Sequence, residues 1–151
     1  MKAVLQRVSN ASVTVDNELV SSINQGFLIL LGVENEDNEK EALALAKKIS
    51  GLRIFTDEND KMNLSLSDVQ GEVLVVSNFT LCADCKKGRR PNFEKAARGE
   101  LAQGLYEYFC QTLRELGVSK VQKGIFGADM KVELLNDGPV TIIIDSRELA
   151  K

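Results

Sequence analysis

Two stretches of this chain space their apolar residues at helical intervals, and almost everything else alternates or runs apolar over strand-length segments. In "NEDNEKEALALAKKISGLRIF", Ala42, Leu45, Ala46 and Ile49 fall on one helical face, acidic residues open the segment, Lys47 and Lys48 lie near its end, and Gly51 offers a stop. The second, "NFEKAARGELAQGLYEYFCQTLRELG", carries a stripe through Phe93, Ala97, Leu101, Leu105, Tyr108 or Phe109, Leu113 and Leu116, with Gly117 placed to cap it. Around them stand "KAVLQRV", "ASVTVD", "ELVSSI", "GFLILLGV" and "EVLVVSNFTL", with Asp16-Asn17 as hairpin turn chemistry between the second and third. Two helices among so many strands do not make βαβα alternation. The pattern predicts α+β with mixed or antiparallel sheets, not a doubly wound fold. At 151 residues and 44% hydrophobic, the chain is expected to form one domain with a core that needs no disulfide or metal staple.

The last strand region is broken. "MKVELL" and "IIID" both read as strand, yet "NDGPVT", Asn136 to Thr141, sets a Gly-Pro pair between them. A Gly-Pro bond adopts the cis form at a cost of only about 0.5 to 1 kcal/mol. A cis bond here would turn the chain sharply and aim the carbonyls of Gly138 and Pro139 where a regular strand forbids. A plain turn or bulge between edge strands fits the local sequence equally and is the commoner use of such a pair.

Composition excludes much chemistry. The chain has no histidine, so Ser-His-Asp and Cys-His catalysis and His-containing zinc sites are unavailable to it. No Gly-rich nucleotide loop is present. Neither a metal nor a cofactor is expected. Three cysteines without a secretory context point to reduced thiols, and neither a signal-peptide run nor a membrane-length apolar stretch occurs, so a cytoplasmic location is expected. With 19 basic and 22 acidic residues the net charge is -3, which confines any nucleic-acid contact to local patches.

Three further segments hold reactive or charged groups. "CADC" places Cys82 and Cys85 at redox spacing, although a basic loop, not a helix, follows; coincidence explains it as well. "KKGRRPNF" gathers Lys86, Lys87, Arg89 and Arg90 in five residues, suited to phosphate contact or to simple solvation. "SNFT", Ser77 to Thr80, ends a buried strand, where a rigid scaffold aims its groups.

Taken together, "QRVSNASVTV", "RIFTDENDKMNLS", "SNFTLCADCKKGRRPNF", "LYEYF" and "FGADMKVELLNDGPVT" resemble, in order and spacing, the D-aminoacyl-tRNA deacylases, also called D-tyrosyl-tRNA deacylases. The resemblance spans the chain. Of the family's two motifs, Asn-x-Gly-Pro-x-Thr is met in full by Asn136, Gly138, Pro139 and Thr141. Ser-Gln-x-Thr is met by Ser77, Phe79 and Thr80, with Asn78 in place of Gln. The resemblance implies one domain over residues 1–151 with barrel-like sheets and two main helices, acting on tRNA as a homodimer without membrane attachment. It also implies a cis Gly-Pro bond whose loop enters the other subunit's site, where its two carbonyls exclude L side chains. Hydrolysis of D-aminoacyl-tRNA, and of glycyl-tRNA mischarged on tRNA-Ala, is the activity implied.

Thr80 is a weak nucleophile unless a base activates it. Without histidine, the reading that agrees with the family is assistance by the ribose 2′-hydroxyl of the substrate, with backbone N–H groups around Phe79 and Thr80 receiving the oxyanion. The resemblance further implies Phe126 and Met130 as an adenine pocket, Ala102 as part of the amino-acid pocket and Arg7 as support for the Gly-Pro loop. From residues alone, Phe126 and Met130 fit a core equally. A non-catalytic dimeric nucleic-acid-binding module, using "KKGRR" and Phe126, is the competing reading, and a thiol redox protein a third.

Overall fold

A computed structural model describes residues 1–150. Its first strand, β1 (Lys2–Val15), is the spine of the fold. An Asp16-Asn17 turn, with φ of 50° and 65°, reverses it into β2 (Glu18–Ile23), and β3 (Gly26–Gly32) returns beside its other half. Helix α1 (Glu39–Gly51) then opens on an Asn38/Glu41 capping box, and buries Ala42, Leu45, Ala46 and Ile49, the face its periodicity predicts. A short hairpin, β4 (Phe55–Thr56) and β5 (Met62–Leu64), and a one-turn helix α2 (Leu66–Val69) lead into β6 (Glu72–Ser77). Helix α3 (Gly99–Glu115), β7 (Val121–Lys123) and β8 (Lys131–Asp145) complete the chain.

Six of the eight strands form one mixed sheet, apart from the β4–β5 hairpin: β1 pairs antiparallel with β2, β3 and β8, while β3–β6 and β6–β7 are parallel. It curls toward a barrel, and the fold is the α+β class expected. Strand alternation divides the core. Phe27, Ile29, Leu31, Val73 and Val75 face α1 and α3, whereas Leu28, Leu74 and Val76 face the inside of the curl. Along β1, Ala3 and Leu5 point to the helices but Ala11 and Val13 point into the curl, because bulges flanking Val8 displace the register.

Four details differ from the sequence-based expectation. "KAVLQRV" and "ASVTVD" are one strand, made continuous by those bulges. A third helix, the single turn α2, sits where no helical period is long enough to show. The second long helix starts at Gly99, and 92–98 is a loop held in place by the Asp84–Asn92 and Glu34–Ala96 bridges. Its buried face is Ala102, Leu105, Tyr106, Phe109, Cys110, Thr112 and Leu113, so Leu101 and Leu116 are exposed instead. No helix among the described residues is long and apolar enough to cross a membrane.

Candidate active site

Beyond β6 the chain tightens into a 3-10 turn, Phe79–Cys82, and this turn forms one wall of a cavity of about 600 Å³. Asn78 N donates to Leu31 O at 2.8 Å, extending the β3–β6 pairing by one residue, while its side chain caps the turn by accepting from Thr80 N at 3.3 Å. The Thr80 hydroxyl also donates to Asn78 Oδ1. Gly32, at the end of β3, lies behind the turn; a Cβ there would stand 3.0 Å from Leu81 Cβ and 3.1 Å from Cys82 Sγ.

The opposite walls come from α3 and from the loop between β7 and β8. Ala102, Phe126 and Met130 line the cavity with Ser77, Asn78, Phe79 and Thr80, so seven of the residues singled out in the sequence meet in one place. Phe126 leans on Tyr106, ring centroids 6.1 Å apart, and Tyr106 is fixed by its hydroxyl donating to Val75 O at 2.8 Å. Burial drives that phenol's pKa upward, so it stays a neutral donor. Sequence reasoning missed Val33, Arg98, Gly99 and Asp129, which also line the cavity. Among the described residues, Arg98 and Asp129 are its only charged side chains.

The Gly-Pro segment is elsewhere. Asn136 pairs with Val8 and Thr141 with Gln6, so Asp137–Val140 bulge out opposite the single residue Arg7. The Gly138-Pro139 peptide is cis. Both readings of the interruption therefore apply, since the segment is a bulge and contains a cis bond. Asn136 closes the bulge with its side-chain amide, Oδ1 accepting from Val140 N at 3.0 Å and Nδ2 donating to Val140 O at 3.2 Å. Arg7, buried on the helix-facing side, braces it from below. Its Nε donates to Asp137 O at 3.1 Å and its Nη1 to Ile54 O at 2.8 Å. Gly138 needs to be glycine: its φ is +134°, and a Cβ would meet Val140 Cγ2 at 2.8 Å. Gly138 and Pro139 are left exposed, and neither they nor Arg7, Asn136 or Thr141 line the cavity of their own chain.

The basic run Lys86–Arg90 is an exposed loop whose flanks are joined by the Asp84–Asn92 bridge. Lys86, Lys87 and Arg90 surround a separate cleft of about 310 Å³ with Asp84, Asn92, Glu94 and Lys95. The cysteines do not form a redox pair. Cys82 is buried, its thiol faces Val33 O at 3.6 Å, and burial raises its pKa, the reverse of activation; Cys85 is exposed. Among the described residues no three His, Cys, Asp or Glu side chains converge.

The two motif segments of the deacylases thus stand on an α+β fold, one walling a mostly apolar cavity and the other forming a braced backbone bulge set apart from it. Residues 4–145 match the sequence profile of the D-Tyr-tRNA(Tyr) deacylase family, and the chain belongs to that family. A D-aminoacyl-tRNA deacylase of Flavobacterium psychrophilum is 57% identical over 148 residues, covering 97% of this chain and 98% of the relative. One from Thermus aquaticus is 57% identical over 148 residues, covering 98% and 97%. Among solved structures, a c-Myc DNA unwinding element binding protein superposes with TM-score 0.90 at 45% identity, over 96% of this chain and 98% of its own. A probable eukaryotic D-amino acid tRNA deacylase shares the fold, with TM-score 0.81 at 18% identity over 95% and 97%.

Proposed function

We propose that this chain hydrolyses the ester joining a D-amino acid to the terminal adenosine of tRNA, releasing both, and that it does so as a homodimer. The observation that carries the second part is the separation just described. The exposed Gly138-Pro139 carbonyls do not reach their own cavity, but a two-fold partner can present them to it. Exposed Leu135 and Ile143 on β8, 57% and 76% accessible, supply apolar surface for such an interface. An L side chain would collide with those carbonyls, a D side chain would point away, and glycine, having none, would pass, so glycyl-tRNA mischarged on tRNA-Ala is a second substrate. Lys86, Lys87, Arg89 and Arg90 contact tRNA phosphates.

The Thr80 hydroxyl donates its hydrogen bond to an amide oxygen, Asn78 Oδ1, which is too weak a base to remove the proton. Thr80 is therefore not the nucleophile. The substrate's 2′-hydroxyl assists attack of water on the ester carbonyl, and the turn's N–H groups at Phe79 and Thr80 stabilise the oxyanion. The 3.3 Å bond from Thr80 N to Asn78 Oδ1 is long enough to yield to that stronger acceptor.

Hydrolysis of D-Tyr-tRNA against L-Tyr-tRNA tests the reading: absence of D-selective turnover by pure protein sinks it. Thr80→Ala should keep substantial activity while a tRNA ending in 2′-deoxyadenosine resists cleavage; a folded but inactive alanine variant would make Thr80 the nucleophile. A second reading, a non-catalytic nucleic-acid-binding module, draws on the basic loop and on the DNA-element-binding name of one structural neighbour. It requires salt-dependent RNA binding with no change in ester lifetime.

A further inference from the structure

We infer that Arg98 is a phosphate-binding residue of the cavity and takes the 5′-phosphate of the terminal adenosine. The inference rests on the deacylase reading for its ligand, and on the cavity itself for its residue.

Arg98 is the sole cation among the side chains lining the cavity. The sole anion there, Asp129, has Lys131 at 3.3 Å, whereas Arg98 enters none of the ion pairs among the described residues. Nor does it serve the helix it precedes: it occupies the N-cap of α3 in extended conformation and makes no side-chain cap bond. An exposed guanidinium that holds no structural partner and lines a mostly apolar cavity is free to form paired hydrogen bonds with a phosphate. If the aminoacyl ester lies at Ser77–Thr80 and the adenine against Phe126 and Met130, the 5′-oxygen of the same nucleoside is where the polynucleotide must leave, and its phosphate is the nearest anion.

The chain around Arg98 continues this chemistry. Residues 83–98 hold six of the chain's 19 basic residues (Lys86, Lys87, Arg89, Arg90, Lys95 and Arg98) against only Asp84 and Glu94. The segment begins just past Thr80 and ends at Arg98, both on the cavity. Phe93, within it, meets Phe79 edge-on at a centroid distance of 5.2 Å, which ties the basic loop to the cavity wall. Arg98 thus reads the first phosphate, while the cleft formed by Lys86, Lys87, Arg90 and Lys95 meets phosphates further along the acceptor strand.

The test compares 3′-O-(D-tyrosyl)adenosine, the same ester with a 5′-phosphate, and D-Tyr-tRNA. In the parent the 5′-phosphate should raise kcat/KM about tenfold, mainly through KM. In Arg98→Gln that ratio should fall to near one, and Arg98→Lys should restore part of it. The Lys86→Gln, Lys87→Gln, Arg90→Gln triple variant should keep the ratio and lose rate only on D-Tyr-tRNA. A ratio that survives in Arg98→Gln, or that the triple variant abolishes, overturns the assignment. Calorimetric binding of 5′-AMP against adenosine separates the two readings: a parent that cleaves none of the esters defeats the deacylase reading alone. Arg98 is then judged by whether Arg98→Gln removes the preference for 5′-AMP, and no preference in the parent overturns it.

Discussion

Gly32→Ala tests whether the cavity turn is held where it is by the strand behind it. Gly32 has no unusual φ, so alanine costs nothing in backbone conformation, and the whole effect comes from one methyl group. That methyl would stand 3.0 Å from Leu81 Cβ, 3.1 Å from Cys82 Sγ and 3.2 Å from Asn78 O, against 3.4–4 Å for ordinary contact. All three neighbours belong to the turn and its cap. Gly32 pairs with Lys2 in β1, so β3 is held fast, and the more exposed turn is what moves. Overpacking by one carbon costs about 1–3 kcal/mol, and shortfalls of a few tenths of an ångström place this case near 1. In a chain of this length that lowers Tm by about 2–4 °C. A misplacement of about 1 Å costs on the order of a hundredfold in rate, so a shift of a few tenths should lower kcat/KM on D-Tyr-tRNA by about three- to tenfold. Gly104→Ala, in mid-α3 with nothing within 4 Å of the added Cβ, is the control, expected to stabilise by up to about 1 kcal/mol with parental kinetics. Thermal melting and steady-state deacylation of the two variants decide the matter. If Gly32→Ala melts lower but turns over like the parent, the turn is not where the chemistry occurs.

Gly124→Ala should act on the cavity's other wall: its Cβ would fall on Met130 Sδ, and the flexible thioether can swing aside into the cavity, so KM should rise severalfold with little change in Tm. Native protein should show one fast thiol with Ellman's reagent at pH 8 and three after denaturation. Cys85 is exposed, while burial raises Cys82 and pushes Cys110 up to about 12; two fast thiols would revive a redox pair. The Arg147 side chain, hydrogen-bonded at 2.7 Å, holds Asp145 down at about 2. A depressed carboxyl contributes stability above its unfolded pKa of about 3.9 and loses it as pH falls toward 2. Asp145→Asn should therefore flatten the acid limb of the denaturation midpoint between about pH 4 and 2, by about 1 kcal/mol given the exposed arginine partner; an unchanged limb refutes the pairing.

What was legible in the sequence was what repeats locally or stands in one short segment. Helix α1 declared itself through four apolar positions, acidic residues at its start and Lys47 and Lys48 near its end. The β2 and β3 strands were readable as strand-length runs, and the candidate site residues Ser77–Thr80 from a strand that ends in polar groups. Helix α3 was legible only in part. Its periodicity extends back through Ala97 and Phe93, but Gly99 at φ +58° and the bridges to residues 34 and 84 override that pattern, and Phe93 serves the Phe79 contact instead.

The rest was hidden because it depends on which distant segments touch. Gly32 looks like an ordinary strand glycine until the Asn78–Cys82 turn, some 46 residues later, is laid against it. Arg98 looks like the tail of a solvated basic run until α3 and the loop after β7 form a cavity that it lines. The Gly-Pro pair shows the same limit in reverse. Its sequence is conspicuous and admits a bulge, yet the bulge's extent and its brace are set by a distant strand: Gln6 and Val8 of β1 pair with Thr141 and Asn136, and Arg7, which only the family resemblance implied, braces the loop between them. In the proposed mechanism of a chain without histidine, selectivity and catalysis draw on backbone groups, and backbone groups gain direction only from the packing behind them. Glycines and arginines that set that packing thus become as consequential as the motif residues, although no local pattern marks them.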